Sequence, residues 1–426
     1  MKVCVVGHGG REHALAHVLR RSCDVVVTPG NAGIPGSTPA PAAEIDADLY
    51  VIGPEAPLVA GLADELRAAG GLVFGPGADG ARLEGSKAWM KELLAAAGVP
   101  TAAHGSFREP EEALGFLGAM NDLFVIKTDG LAAGKGVLVT EDRAEAAAAV
   151  RTYLSGEAFG AAGRRVVIEE GLTGPELSVL AVCDGRRAVP LAPARDFKRL
   201  GEGDVGPNTG GMGAYSPVLT AGADVVDEVM DRAVLPTLAE LARRGIDYRG
   251  VLYAGLMLTP AGLKVLEYNV RFGDPEAQVV LPRLRSDLAG LLAGAAAGSL
   301  TESPVYADDA AVTVVCASEG YPASSRTGDV IAGVEAAGAV EGVTVFCAGV
   351  AAADAGRWGA LPAGRSGRAL ATAGGRVLTI TGVGPDLAAA RERAYAGVAH
   401  IEWPGRYVRF DIAAEAVESV SPRESP

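Results

Sequence analysis

The sequence predicts an α/β protein, α+β overall, assembled from two to four subdomains. Three observations predict it. The chain has 426 residues and 49% hydrophobic content, too long for one core and apolar enough to fill several. From Lys2 to Phe74, strand and helix patterns alternate, as they do in an open parallel sheet. Beyond a boundary expected at Gly298–Ser303, strand patterns dominate and imply a smaller β-rich unit.

The elements follow in order. Residues 2–6 form an apolar run that reads as a buried parallel strand. Gly7–Gly10 turn, and Arg11–Arg20 read as a helix. Strands follow at Val25–Thr28 and Leu49–Ile52, then a helix at Leu58–Ala69 and a strand at Leu72–Phe74. The crossover Ile34–Ala47 is rich in Pro and Ala. Pro35, Pro39 and Pro41 disfavour a helix there, so it is expected to be extended or irregular. That leaves one face of Val25–Val27 and Leu49–Ile52 thinly covered, a possible weak self-association surface. Further on come a helix at Ser86–Ala97, a hairpin within Asp122–Thr140, a helix at Ala144–Leu154 and a strand at Arg165–Leu172. A helix at Val225–Arg243 and strands within Gly250–Arg271 precede the boundary. Ala311–Cys316, Thr344–Cys347 and Arg376–Val383 read as strands, and Leu387–Ala399 as a helix.

Three segments carry chemistry. In Glu267-Tyr-Asn269-Val-Arg271-Phe-Gly-Asp274-Pro-Glu276, strand alternation sends Glu267, Asn269 and Arg271 to one face and Tyr268 and Val270 to the other. Two oxygen ligands followed by a cation suit a divalent metal and a phosphate chain. A solvated strand face is the plainer reading, but the tight acidic turn that follows argues against it. In Phe124-Val-Ile-Lys127-Thr-Asp-Gly130-Leu-Ala-Ala-Gly134-Lys135-Gly136, a strand hands Lys127 to a loop of small residues that admits phosphate oxygens to backbone N–H groups. The spacing misses the P-loop pattern, so a Gly-rich hairpin over a nucleotide fits better. In Gly206-Pro-Asn208-Thr-Gly210-Gly-Met212-Gly-Ala-Tyr-Ser-Pro217, glycine density points to a folded loop rather than helix or regular strand. Gly7-x-Gly9 suggests a dinucleotide fingerprint, but Glu12 stands at its third glycine and no acid ends the second strand. The chain holds seven lysines. Lys87, Lys127, Lys135 and Lys198 lie in these motif-like stretches; Lys2, Lys91 and Lys264 read as surface chance.

Together the segments resemble the phosphoribosylamine–glycine ligase (glycinamide ribonucleotide synthetase) family of ATP-grasp enzymes. Gly7-His-Gly-Gly-Arg-Glu-His13, Pro29-Gly-Asn-Ala-Gly33, Gly53-Pro-Glu-Ala-Pro57, Leu83-Glu-Gly-Ser-Lys87 and Ala317-Ser-Glu-Gly-Tyr-Pro322 extend the likeness over nearly the whole chain. The resemblance implies an ATP-grasp fold with an N-terminal open parallel sheet domain at 1–82, an ATP-grasp domain at 83–300 with a mobile lid at about 105–172, and a C-terminal β-rich domain at 301–420. It implies ATP-dependent ligation of glycine to 5-phosphoribosylamine in purine biosynthesis. Lys87, Lys127, Gly134 and Lys135 would bind the phosphates, and Glu169, Glu170, Leu172 and Glu176 the nucleoside. Glu267 and Asn269 would hold Mg²⁺ or Mn²⁺. Gly9, Gly10, Arg11, Asn31, Pro54, Glu55, Asp196, Lys198, Asn208, Gly210, Met212, Arg271 and Asp274 would face glycine or the sugar phosphate, with the Gly9–Arg11 helix start holding the 5′-phosphate. Lys135, Asn269 and Arg271 would act in catalysis, and the 130–136 loop would order on nucleotide. Arg195, His8 and Cys347 depart from residues usual in the family.

Composition excludes other classes. A net charge of -14 argues against nucleic-acid and anionic-membrane surfaces. Five scattered cysteines without a Cys-x-x-Cys suit a reducing cytoplasm. No signal peptide or membrane span is expected. The expected partners are small molecules, and the expected state is a monomer or weak homodimer.

Overall fold

A computed structural model describes residues 1–120, 123–132, 136–156, 164–353 and 369–420. The N-terminal sheet is parallel, with strands in the order Asp24–Pro29, Lys2–Gly7, Leu49–Ile52, Val73–Phe74. Its central strand is buried from Val3 to Val6, as an apolar run covered on both faces must be. The expected single helix after Ile52 is two, Glu55–Val59 and Leu62–Ala68. Gly61 separates them at φ +92°, a left-handed conformation that ends one helix and starts the next. A further helix, Ala78–Gly85, precedes the expected one at Lys87–Ala97.

The crossover after Gly33 contains a single 3₁₀ turn, Ala42–Glu44, in line with its prolines. The thinly covered face expected to follow is absent. Ile34, Ala42 and Ile45 are buried from the crossover itself, and Tyr50 donates from its hydroxyl to the Ile45 carbonyl at 2.5 Å. Val27 also exchanges backbone hydrogen bonds with Gly36 and Thr38. The extended chain thus covers the sheet without a helix, which removes the basis for self-association through that face.

Two antiparallel sheets follow. The central one runs Ala188–Pro190, Glu176–Asp184, Arg249–Thr259, Gly262–Asn269. The smaller one runs His104–Phe107, Val166–Glu170, Phe124–Thr128, Val137–Thr140, with helices Pro110–Gly118 and Arg143–Leu154 packed on it. Its core of Ala113, Leu117, Phe124, Ile126, Ala146, Val150, Val166 and Ile168 is separate from the main one. The expected helix over 225–243 spans Ala223–Arg243 with a π turn at Met230–Val234, just before Pro236, whose missing N–H cannot continue the α ladder.

The C-terminal sheet runs Arg195–Asp196, Gly213–Ser216, Ala310–Ala317, Arg376–Gly384, Val343–Cys347, with helix Leu387–Val398 against it. Two of its strands come from well before residue 300. The segment read as one folded loop over 206–217 is therefore corrected. Val205–Asn208 pairs with Arg199–Gly201, Gly213–Ser216 pairs with Ala311–Val314, and the loop proper is 209–212. A Cβ on Gly213 would lie 2.7 Å from the Thr313 carbonyl oxygen, so glycine here serves close strand pairing. Among the described residues, no helix is long and apolar enough to cross a membrane.

Candidate active site

The central and smaller antiparallel sheets enclose a cleft of about 810 Å³. Strand Gly262–Asn269 forms part of its floor. Tyr268 and Val270 are buried in the layer below, while Glu267, Asn269 and Arg271 line the cleft, as strand alternation requires. Arg271 is fixed by two carboxylates, with Nε 3.2 Å from Glu55 and Nη2 2.7 Å from Glu84. Glu84 also accepts from the Val270 amide at 2.8 Å. Among the described residues, neither the Glu267 carboxylate nor the Asn269 amide has a hydrogen-bond partner in the protein. Burial alone would raise the Glu267 carboxyl, but Lys198, Lys127 and Lys87 outweigh it and hold it below the usual range. An ionised carboxylate and an amide oxygen, both free, suit a hard divalent cation that also takes phosphate oxygens. No group of three or more His, Cys, Asp or Glu forms a protein-only metal cage among the described residues.

The lysines are more deeply engaged than the sequence indicates. Lys87, capping distance from the hairpin, donates to the Gly130 carbonyl at 2.9 Å. Lys127 pairs with Glu169 at 2.9 Å and donates to the Leu266 carbonyl at 3.1 Å. Lys91, read as a surface residue, is fully buried. It contacts Glu169 at 2.9 Å and the Thr101 hydroxyl at 2.7 Å. Burial pulls the Lys91 ammonium down to about 8 despite Glu169. Burial would raise Glu169, but Lys127 and Lys91 together hold it below its ordinary value. Lys264 is partly exposed and pairs with Glu170 at 2.9 Å. Glu170, Leu172 and Glu176 line the cleft beside Val125, Leu131 and Met257, which offer apolar surface for a flat base. Gly134 and Lys135 lie outside the described residues.

Asp196, Lys198, Asn208 and Gly210 line the cleft as well. Lys198 contacts Glu176 closely and lies 3.7 Å from Asp196. Met212, expected beside them, is instead fully buried, and its amide donates to the Phe197 carbonyl. Pro54 sits at the N-cap of helix Glu55–Val59 and lines neither cavity.

A second cavity of about 600 Å³ opens between the N-terminal loops and the C-terminal sheet, lined by His8, Gly9, Gly30, Asn31, Gly349 and Gly374 among others. It shares Asp274 and Arg376 with the cleft. The expected phosphate site at the Gly9–Arg11 helix start is partly taken. The Gly9 amide donates to Glu12 at 2.6 Å and the Arg11 amide to Asp274 at 3.2 Å. Gly10 is buried against Gln278, and a Cβ there would lie 2.6 Å from its Nε2. The Arg11 side chain is buried on Glu12 and the Phe272 carbonyl. Asn31 spends both amide hydrogens as a clasp on the carbonyls of His8, Cys347 and Ala348. Its amide is therefore a tie between loops rather than a free ligand.

Lys91, Glu84, Tyr253, Glu276, Tyr321 and Arg376 are the site residues the sequence reading did not single out. Tyr253 donates to the buried Glu276 at 2.6 Å. Glu84 and Glu276 lie inside motif segments quoted for other residues, so proximity to Lys87 and Asp274 was an available signal. Tyr321 likewise lies in the quoted Ala317–Pro322 segment, whereas Arg376 had no such signal, since it reaches the cleft from the C-terminal region.

The whole chain has relatives. Family signatures described as phosphoribosylglycinamide synthetase match in three parts: the N domain at 1–84, the ATP-grasp (A) domain at 85–277 and the C domain at 311–415. The phosphoribosylamine–glycine ligase of Streptomyces coelicolor is 49% identical over 436 residues, covering 98% of this chain and 99% of the relative. That of Synechocystis is 46% identical, covering 98% and 100%. The crystal structure of phosphoribosylamine–glycine ligase from Thermotoga maritima matches with a TM-score of 0.84 at 34% identity, covering 97% of this chain and all of that one. The biotin carboxylase domain of a Hydrogenobacter thermophilus 2-oxoglutarate carboxylase, solved with MgADP, shares the fold with a TM-score of 0.68 at 17% identity, covering 96% and 91%.

Proposed function

The chain belongs to the phosphoribosylglycinamide synthetase family, and from that premise we propose how its cleft ligates glycine to 5-phosphoribosylamine with cleavage of ATP to ADP and phosphate. The observation that carries the reading is the convergence, in one cleft, of Lys87, Lys127, Glu267, Asn269 and Arg271 with the Asn208–Gly210 loop. The nucleotide lies between the two antiparallel sheets. Its base rests on the apolar surface near Leu172 and Met257, and its phosphates run toward Lys87 and Lys127. Residues 105–172 act as a lid, and Lys135 is a further phosphate and catalytic contact.

A carboxylate is a poor electrophile because its oxygen leaves poorly. Transfer of the γ-phosphoryl group to a glycine carboxylate oxygen gives glycyl phosphate and ADP. The amine nitrogen of phosphoribosylamine then bonds to the carbonyl carbon, the C–O bond to phosphate breaks, and the amine loses a proton. Such transfer depends on positioning and on neutralising charge. Glu267 and Asn269 would hold Mg²⁺ or Mn²⁺, which supplies charge neutralisation on the phosphates. Arg271, locked by Glu55 and Glu84, presents a fixed cation to the transferred group or to the glycine carboxylate. Asp196 and Lys198 face glycine. The sugar phosphate occupies the second cavity, near Gly9 and the Asp274–Arg376 pair. A closing lid keeps water from the acyl phosphate. The free state of all five cysteines supports a cytoplasmic location.

Coupled measurement of ADP release tests the assignment. Release is expected with ATP, a divalent metal, glycine and freshly made phosphoribosylamine together, and to fall to background when glycine is omitted. ADP release indifferent to glycine would overturn it.

A further inference from the structure

Arg376 starts the strand Arg376–Gly384 of the C-terminal sheet, yet its guanidinium reaches out of that sheet to the cleft. Nη1 donates to the Gly210 carbonyl and, at 2.7 Å, to the Asp274 carbonyl. The same nitrogen lies 3.3 Å from the Asp274 carboxylate. From the other side, the Gly210 amide donates to the Tyr321 hydroxyl at 2.9 Å. Both backbone polar groups of Gly210 are therefore held by side chains of the C-terminal region. The packing is close, since a Cβ at 210 would lie 3.0 Å from Arg376 Cζ and push the guanidinium back. Among the described residues, Arg376 Nε and Nη2 have no hydrogen-bond partner in the protein. The side chain is 23% exposed, and it lines both the cleft and the second cavity.

We propose that Arg376, assisted by Tyr321, is a positioning residue for the ligation step, fixing the Gly210 loop and the Asp274 turn where the two cavities meet. The inference rests on the ligase reading above. Glycine activation takes place in the cleft, and the amine arrives from the second cavity. The carbonyl carbon and the amine nitrogen must meet at the wall between them, and that wall is Gly210, Asp274 and Arg376. Small errors in such alignment slow a reaction steeply. One guanidinium nitrogen reaching two carbonyls and a carboxylate holds the wall in one geometry, so a lysine that keeps the charge on a shorter side chain recovers only part of the grip. Lys87, Lys127 and Glu169, the proposed nucleotide contacts, share no hydrogen bond or ion pair with Gly210, Asp274 or Arg376 among the described residues. The role therefore differs from a plain tie between domains, whose loss would weaken every substrate together.

The experiment compares Arg376→Met, Arg376→Lys and Tyr321→Phe with the unaltered protein in steady-state assays, varying one substrate at a time, alongside thermal melts. In Arg376→Met, kcat/KM for phosphoribosylamine is expected to fall by about a hundredfold, with KM for ATP within about threefold of the unaltered protein. Arg376→Lys restores part of the loss. Tyr321→Phe, which removes one hydroxyl, gives a milder loss of the same kind, about fivefold. Equal losses toward ATP and amine, or no selective loss toward the amine in Tyr321→Phe and Arg376→Lys, would overturn the proposal. If Arg376→Met does not fold, these two milder variants decide. Turnover of the unaltered protein tests the ligase reading separately, so failure of one is distinct from failure of the other.

Discussion

At the scale of single residues, the cleft is organised by which charges are already matched and which are left over. Arg271 has two carboxylates and Glu169 has two lysines, while among the described residues Glu267 and Asn269 have no hydrogen-bond partner. We propose this pair as the place for an added cation. Glu267→Ala and Asn269→Ala should each lower kcat by about a hundredfold or more while leaving the thermal midpoint nearly unchanged, because metal charge matters most as phosphate charge moves. Turnover like that of the unaltered protein in both would remove the ligand assignment. His13 shows the opposite kind of buried group, one that serves by staying neutral. Its Nδ1 accepts from the Cys347 amide at 2.8 Å, and burial, with His17 and Arg20 nearby, lowers its pKa from 6.5 to about 3. Between those values the unfolded chain binds a proton that the folded chain refuses, so folding stability falls as pH drops below 6.5 and the loss is complete near 3. By pH 5 the loss from this residue is roughly 2 kcal/mol. His13→Gln keeps an acceptor for the Cys347 amide and does not titrate. Its thermal midpoint should therefore depend less steeply on pH between 6.5 and 5, and an unchanged slope in melts across that range would refute the account. Lys91 marks the limit of residue-level reading. Its partner Glu169 lies 78 positions away, so nothing local distinguishes it from a surface lysine.

Elements carry the next level of organisation, because helix ends and strand edges place these charges. Helix Lys87–Ala97 begins on Ser86, whose hydroxyl accepts from the Trp89 amide at 3.2 Å. Asp129, from the hairpin, accepts from that hydroxyl at 2.9 Å and from the Ala88 amide at 3.1 Å. One carboxylate thus ties the strand end that carries Lys127 to the helix start that carries Lys87. Ser86→Ala should lower stability by about 1 kcal/mol, the usual effect of losing such a cap. It should also raise KM for ATP several-fold, about threefold or more, since the two lysines lose their common anchor. A stability loss with no change in KM for ATP would show the cap to be structural alone. The same level shows what the sequence made legible. Apolar runs found Lys2–Gly7, Leu49–Ile52 and Ala310–Ala317, and the Glu-x-Asn alternation held in the folded strand. Strand Gly213–Ser216 was missed because its pattern is not in its own residues. It is a strand because residues 311–314, about a hundred positions later, supply its neighbour, and Gly213 allows that close pairing while Gly210 and Gly211 lie in the loop before it. Likewise Met212 is apolar and faces the core, a simpler outcome than the ligand role its neighbours suggested.

At the scale of the whole molecule, among the described residues, one core joins the N-terminal, central and C-terminal sheets, and a second, much smaller core stands under the smaller antiparallel sheet, the outer one of the four. The sequence located the outer hairpin and the N-terminal crossover without a helix, but not how the parts share or divide a core, which depends on contacts between distant segments. The division has a physical consequence. Stability is set locally by buried apolar contact, so a unit with its own small core can open while the rest stays folded. Polar contacts at the cleft link the outer sheet to the body: Lys91 and Lys127 on Glu169, Lys127 on the Leu266 carbonyl and Lys264 on Glu170. Polar links of this kind stabilise far less than the apolar burial that joins the other sheets. A nucleotide clamped between the sheets would add contacts to both and close the gap in stability. Native-state hydrogen exchange should therefore show the amides of Phe124–Thr128 and Val166–Glu170 exchanging through an opening roughly 2 kcal/mol or more easier than that of Glu176–Asp184 and Arg249–Thr259. A non-hydrolysable ATP analogue should raise protection in the first two strands more than in the last two. A single opening free energy shared by all four strands without nucleotide would show that the two cores fold as one and that the outer sheet is not an independent lid.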